Sequence, residues 1–115
     1  MGNFLPLVAT LSSGLSFLFY GTVCLFSQKM VREFERYRLS KYRRLVGFLE
    51  LGGGLGQLMG VYSEPLSVIS SGGLALLMLL GIWTRKRVQD PWHLWLPAIF
   101  LFLVNAFLFL LALSA

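Results

Sequence analysis

The stretch RLVGFLELGGGLGQLMG, at residues 44–60, decides the fold of this chain. It is apolar and rich in glycine, and it holds a single carboxylate, Glu50. Small residues at helical spacing are typical of a helix that packs closely against other helices in a membrane. A carboxylate at that depth usually faces a bundle interior or a polar partner, so the role of Glu50 depends on the segments around it.

The composition of the 115-residue chain is that of an integral membrane protein. Hydrophobic residues make up 57% of it and charged residues 13%, with a mean hydropathy of +0.73, whereas soluble domains have about a quarter of their residues charged. Residues 1–28 and, with His93 neutral, residues 91–115 carry no charged side chain. Because a spanning helix needs ~20 mostly apolar residues, these segments are predicted to cross a membrane.

Four transmembrane helices are predicted in a single all-α domain that covers the whole chain. The third begins near Pro65, which suits a first helical turn because its missing N–H is not needed there. The predicted fold is therefore a four-transmembrane-helix bundle. Its helices are expected at residues 4–26, 45–62, 65–84 and 92–112.

The distribution of basic side chains predicts the orientation of the bundle. All ten Lys and Arg residues lie in the link 28–44 or in the connection 85–90, and the turn 62–64 has none. Because cytoplasmic loops collect Lys and Arg, both basic connections are expected on the cytoplasmic side of the cell (inner) membrane, with both termini on the opposite side. Contacts with anionic inner-leaflet lipids also explain the net charge of +5, so no nucleic-acid partner is expected.

The link 28–44 has the pattern of a short amphipathic helix. Met30, Phe34 and Tyr37 recur at steps of four and three residues, and Arg and Glu occupy the other faces. Such a helix is predicted to lie flat on the inner surface of the membrane. A mobile charged loop is the alternative interpretation.

Two faces of the second helix carry small or polar residues. Gly47, Glu50, Gly54 and Gln57 share one face, because each residue turns ~100° around a helix. A second ridge of glycines recurs at four-residue steps, and the third helix offers small residues opposite to it. The glycines predicted to support helix packing are Gly47, Gly52, Gly53, Gly56, Gly60 and Gly73.

Glu50 is the strongest candidate for a functional side chain. It can pair with Arg43 or Arg44, which precede it by about two turns, or it can stay protonated. With Gln57 on the same face and Asn105 in the fourth helix, it is predicted to line a polar, ligand-binding pocket. A purely structural set of hydrogen bonds between helices is the alternative.

No catalytic residue and no metal site can be assigned from the sequence. Cys24 is the only cysteine, and the chain has no His-rich or carboxylate-rich set of metal ligands. The GGGLG run does not follow a strand, so it is not a dinucleotide-binding loop. The chain itself is therefore expected to hold no cofactor, and whether it is an enzyme stays open.

A wider motif resembles the DoxX-like family of small four-helix membrane proteins. Residues 44–56 follow the pattern R-x-x-G-x-x-E-x-x-G-x-x-G, and the likeness continues in SSGGLALLMLLG at 70–81, RKRVQDP at 85–91 and LVNAF at 103–107. The positions that the resemblance marks as family signatures are Arg44, Gly47, Glu50, Gly53, Gly56, Asp90, Pro97 and Asn105.

What the resemblance implies about function is broad. The first expectation is a small subunit of a redox-linked membrane complex that binds a quinone or lipid-like molecule near Glu50. The alternative is a non-enzymatic accessory or assembly subunit that docks a larger membrane protein, and either role implies a membrane protein partner or a homo-oligomer. A small multidrug-type transporter is more remote, because in that family the membrane glutamate lies on the first helix.

Overall fold

A computed structural model describes residues 4–114, which form an all-helical structure with no strand in that range. Long apolar runs produce the long helices, and Gly60, Pro65 and Pro97 lie at three of their ends. Two short 3₁₀ helices, Ser40–Tyr42 and Trp92–Trp95, precede α3 and α5. The α-helices are α1 (Phe4–Phe26), α2 (Gln28–Arg36), α3 (Arg43–Met59), α4 (Glu64–Arg87) and α5 (Leu96–Leu113).

Three segments of the described chain are long and apolar enough to cross a membrane: Phe4–Phe26, Glu64–Arg87 and Trp92–Leu113. α1 covers residues 4–26, the range expected for the first helix. The second predicted helix is shorter than expected at its carboxyl end, because α3 ends at Met59 and has 17 residues. Gly60 caps it, and a turn then leads into α4.

The long helices form two antiparallel pairs. α1 packs mainly against α3, and α4 packs mainly against α5, while contacts between α3 and α4 join the two pairs. A small apolar core of Phe17, Leu74 and Leu101 lies where α1, α4 and α5 meet. The described chain measures 43 Å along its longest axis, close to the ~40–45 Å of a whole bilayer with its headgroups.

Glycines bring α1 and α3 into backbone contact. An added Cβ on Gly54 would lie 2.8 Å from the carbonyl oxygen of Gly14, and one on Gly21 would lie 3.0 Å from that of Gly47. In each helix the two glycines are seven residues apart, which is about two turns. Both glycines therefore lie on the same face of their helix. This close approach fixes which side of α3 faces the bundle.

The outward surface of the long helices is mainly apolar. Large hydrophobic side chains that are more than half exposed include Leu15, Phe19, Phe48, Leu55, Ile69, Leu76, Phe100 and Leu103. A soluble monomer rarely exposes an apolar surface of this extent. The bilayer is the solvent that such a surface requires.

α2 packs its apolar side against the bundle. Phe34 and Tyr37 are buried and form a cluster with Cys24 of α1, against which Val46 and Val88 also pack. The helix ends at Arg36, so it covers only the first part of the predicted amphipathic link 28–44.

The two basic connections meet at the same end of the molecule. Arg36 of α2 donates 2.8 Å and 3.2 Å hydrogen bonds to the carboxylate of Asp90, which follows α4. Arg87 of α4 donates to the main-chain carbonyl of Tyr37. The ten basic side chains are thereby gathered at one end of the bundle, as their distribution in the sequence predicts.

Candidate functional site

A buried polar cluster links all four long helices near the middle of the bundle. It consists of Ser13 from α1, Gln57 from α3, Ser71 from α4 and Asn105 from α5, each of which is at most 2% exposed. Gln57 Nε2 donates to Asn105 Oδ1 over 2.7 Å, and Asn105 Nδ2 donates to Ser13 Oγ over 3.0 Å. Buried amides need such partners because they lose their water, so the cluster fixes the relative rotation of the helices.

Asn105 is the centre of this cluster. Besides its bonds to Gln57 and Ser13, its amide donates to the carbonyl oxygen of Leu101, one turn earlier in α5. Gln57 also lies 3.4 Å from Ser71 through its Nε2 atom. Its Oε1 atom is buried and has no hydrogen-bond partner among the described residues.

Glu50 lies on the same buried face of α3 as Gln57, as predicted, but it is not part of the cluster. The two side chains are about 10 Å apart along the helix axis, since they are separated by two turns. Glu50 is 8% exposed, whereas Gln57 and Asn105 are completely covered. The structure therefore brings together two of the three predicted pocket residues, and Glu50 is the one of the three that keeps some exposed surface.

Glu50 has neither an ion-pair partner nor a hydrogen-bond partner for its carboxyl group within residues 4–114. Arg43 instead donates 2.9 Å and 2.7 Å hydrogen bonds to the carbonyl oxygens of Cys24 and Leu25, which α1 leaves free at its carboxyl end. The side chain of Arg44 is exposed. The predicted pairing of Glu50 with an arginine is therefore absent from residues 4–114, because the carbonyl groups at the end of α1 bind Arg43.

The glycines predicted to support packing divide into two groups. Gly47 contacts α1, while Gly53, Gly56 and Gly60 contact Leu74, Ser70 and Ser67 of α4. An added Cβ on Gly52 or Gly73 would meet no atom of this chain within 4 Å. The ridge that α3 presents to α4 therefore runs through Gly53, Gly56 and Gly60.

A second polar cluster lies at the basic end. Arg36 bridges Glu33 and Asp90 with distances of 2.8 Å to each, and Arg85 lies 3.7 Å from Asp90. The hydrogen bond from Arg36 holds the pKa of Glu33 below its ordinary value. Burial raises the pKa of the Tyr37 hydroxyl, which donates to Glu33. This cluster ties α2 to the connection between α4 and α5.

The comparison with protein families decides the identity at family level. The sequence pattern of the DoxX-like family matches residues 8–107. The chain belongs to the DoxX-like family. No curated protein and no solved structure is significantly similar to it. For this DoxX-like protein the family therefore supports a multi-pass membrane location.

Several signature positions of this DoxX-like chain have clear structural roles. Asp90 accepts hydrogen bonds from Arg36, and Asn105 is the centre of the buried cluster. Gly53 and Gly56 lie against α4. These positions hold helices together, whereas Glu50 has no such structural task.

The sequence analysis did not predict the roles of four residues that build these contacts. Ser13 and Ser71 complete the polar cluster, and Gly14 and Gly21 let α1 approach α3. A signal for the glycines exists, because their seven-residue spacing matches that of Gly47 and Gly54. The serines give no such signal, since serine is also tolerated on lipid-facing positions through a bond to its own helix.

Proposed function

We propose that α3 is a fourth membrane span and that the bundle has its basic end in the cytoplasm. Two turns of backbone contact hold α3 along α1, and its outer face exposes Phe48, Leu55 and Met59. Its 17 residues give a length of about 25 Å, somewhat below the ~30 Å hydrocarbon core. A span shorter than the hydrocarbon core is accommodated by local thinning of the bilayer or by flanking side chains that reach the interface. Under this proposal α2 lies at the inner membrane surface.

Cysteine labelling tests the fourth span. In a Cys24→Ser background, Ser40→Cys and Tyr62→Cys introduce thiols before and after α3, at exposed positions. A membrane-impermeant maleimide added to intact cells is expected to label Tyr62→Cys, and Ser40→Cys only after lysis, because the two ends of a spanning helix face different compartments. Equal labelling of both variants in intact cells would show that α3 does not cross.

The function that we infer is binding of a quinone or another lipid-like molecule at Glu50, in a small subunit of a redox-linked membrane complex. The observation that carries this proposal is a buried carboxyl group that has no partner within residues 4–114 and keeps 8% of its residue surface exposed. An unpaired polar group in hydrocarbon is unfavourable. A ligand that accepts a hydrogen bond from Glu50 would remove this unfavourable contribution, and the same bond would hold the ligand.

A quinone fits the chemistry of this position. A neutral carboxyl group has one O–H donor, which can bond to a quinone carbonyl and supply a proton as that oxygen is reduced. The apolar tail of the molecule would lie along the lipid-facing surface beside α3. Because this chain has no cofactor motif of its own, the electrons would come from a partner subunit.

Two substitutions at Glu50 test whether a hydrogen bond from its side chain holds the ligand. The protein is extracted gently from its native membrane, and bound quinones and lipids are quantified by mass spectrometry. Glu50→Leu is expected to lower ligand retention by about tenfold, since it removes a buried hydrogen bond. Glu50→Gln keeps an N–H donor and is expected to retain the ligand.

Glu64→Gln is the control for the loss of a carboxyl group. Glu64 is exposed and is the first residue of α4, so it lies at the end of the bundle opposite to the basic connections. This variant is expected to retain as much ligand as the wild type. Retention by Glu50→Leu at the wild-type level, or no small molecule in any sample, would contradict the proposal.

An accessory role is the second candidate, and a separate observation favours it. Gly52, Gly73 and Gly81 leave open space on the outer faces of α3 and α4, where a helix of another protein could approach closely. In the same extraction, a stoichiometric protein partner without any small molecule would favour this role over the ligand site.

A further inference from the structure

α2 and α4, which both end at the basic end of the bundle, finish with the same type of turn. In α2 the N–H of Leu39 bonds to the carbonyl of Phe34 and that of Arg38 to the carbonyl of Glu35. α4 repeats both bonds, from Asp90 to Arg85 and from Gln89 to Lys86. This pattern is the Schellman motif, in which the residue after the cap adopts a left-handed conformation and is usually glycine.

Here the left-handed positions are held by Arg38, with a φ of 61°, and by Gln89, with a φ of 63°. Side chains other than glycine, asparagine and aspartate rarely adopt this conformation, because the Cβ atom crowds the backbone. The fold alone would be served better by glycine at both positions. A residue kept in such a strained conformation is a candidate for a functional role, and Arg38, unlike Gln89, lines a groove.

The side chain of Arg38 borders a groove between the ends of α2 and α4. The groove has a volume of about 390 Å³, large enough for a phosphate group with its substituents. Its lining residues are Arg36, Tyr37, Arg38, Arg87 and Val88.

The three arginines of this groove differ in their remaining capacity to bind an anion. Arg36 is engaged by the carboxylates of Glu33 and Asp90. Arg87 uses one N–H for a main-chain carbonyl, and its planar guanidinium has further donors. Arg38 takes part in none of the ion pairs or side-chain hydrogen bonds of residues 4–114.

The groove lies at the depth where a bilayer has its headgroups. Trp83, whose ring is 5.3 Å from the guanidinium of Arg87, is 58% exposed, and Trp92 is 69% exposed. Exposed tryptophans collect at the boundary between hydrocarbon and water. A lipid phosphate at this boundary would face Arg38 and Arg87 while its acyl chains run beside α4.

We propose that this groove is a binding site for the phosphate of an anionic lipid headgroup, with Arg38 and Arg87 as its donors. Guanidinium groups bind phosphate through paired N–H donors and retain their charge at all physiological pH values. The proposal is independent of the ligand at Glu50, because the two sites share no residue.

The strained backbone provides an unusually direct test. Arg38→Gly removes the charge and relieves the left-handed strain, so the variant is expected to fold at least as well as the wild type. Gln89→Gly relieves the same strain in α4 without any change of charge and is the matched control. Each full-length protein is purified in detergent, and binding of added short-chain phosphatidylglycerol is measured by native mass spectrometry.

Wild type and Gln89→Gly are expected to bind one phosphatidylglycerol each, and Arg38→Gly about tenfold more weakly, since one charge-assisted contact is lost. Arg38→Asn, which tolerates the left-handed conformation and lacks the charge, should match Arg38→Gly. Equal affinity in all four proteins would overturn the site. Equal binding of phosphatidylcholine would overturn the selectivity for anionic lipid, and competition by inorganic phosphate at equal concentration would assign the groove to a soluble anion instead.

Discussion

Replacement of Gly54 by alanine is expected to lower the free energy of unfolding by about 2 kcal/mol, the usual size of an overpacking defect. The new Cβ would lie 2.8 Å from the carbonyl oxygen of Gly14, 3.2 Å from the backbone nitrogen of Leu18 and 3.2 Å from the Cβ of Phe17. Two of these three neighbours are backbone atoms, which cannot rotate away. The clash can be relieved only if α1 and α3 separate, and that weakens the most extensive helix contact in the chain.

The same substitution at Gly52 is the matched control. It lies half a turn from Gly54 on α3, and a Cβ there would meet no atom within 4 Å. Gly52→Ala is therefore expected to leave stability unchanged or to raise it by up to about 1 kcal/mol through helix propensity. Thermal unfolding in detergent, followed by circular dichroism, distinguishes the two variants, and equal stability of both would show that the close approach of α1 and α3 does not hold.

The contrast between these glycines shows what the sequence could and could not predict. The buried face of α3, with Gly47, Glu50, Gly54 and Gln57, follows from helical periodicity and was predicted as it is found. Periodicity is a property of one helix, so the sequence contains it directly. The position of α1 was predictable for a related reason, because residues 1–28 carry no charged side chain.

Contacts between helices were less predictable, because they depend on the register of two segments. Gly52 and Gly53 point ~100° apart, and only the position of Leu74 on α4 decides that Gly53 is the one in contact. Likewise, Arg43 precedes Glu50 by two turns and could have paired with it. The free carbonyl groups at the end of α1, which no pattern in α3 reveals, bind Arg43 instead.

Replacement of Asn105 by leucine is expected to destabilise the bundle by about 2 kcal/mol. Asn105 is fully buried, and its loss removes the bonds to Ser13 and Gln57 at once. Hydrogen bonds between membrane helices contribute about 0.6 kcal/mol on average and up to about 1.7, and a buried amide left without its partner costs about 1–3 kcal/mol more. Phe107→Leu, on the lipid-facing side of the same helix and 49% exposed, is the control and should have little effect.

The double variant Gln57→Leu/Asn105→Leu shows whether the two amides act as a pair. Each single variant deprives the remaining buried amide of its 2.7 Å partner, whereas the double variant removes both amides. The loss of stability in the double variant should therefore be smaller than the sum of the single losses by about 1 kcal/mol. The hydroxyl of Ser13 does not alter this expectation, because a serine can turn to a carbonyl of its own helix. Strictly additive losses would mean that the 2.7 Å bond contributes nothing to stability. A coupling of the expected size would establish that Gln57 and Asn105 hold the helices in place. Of the three residues predicted to line a pocket, Glu50 would then be the one without a bond to another helix within residues 4–114.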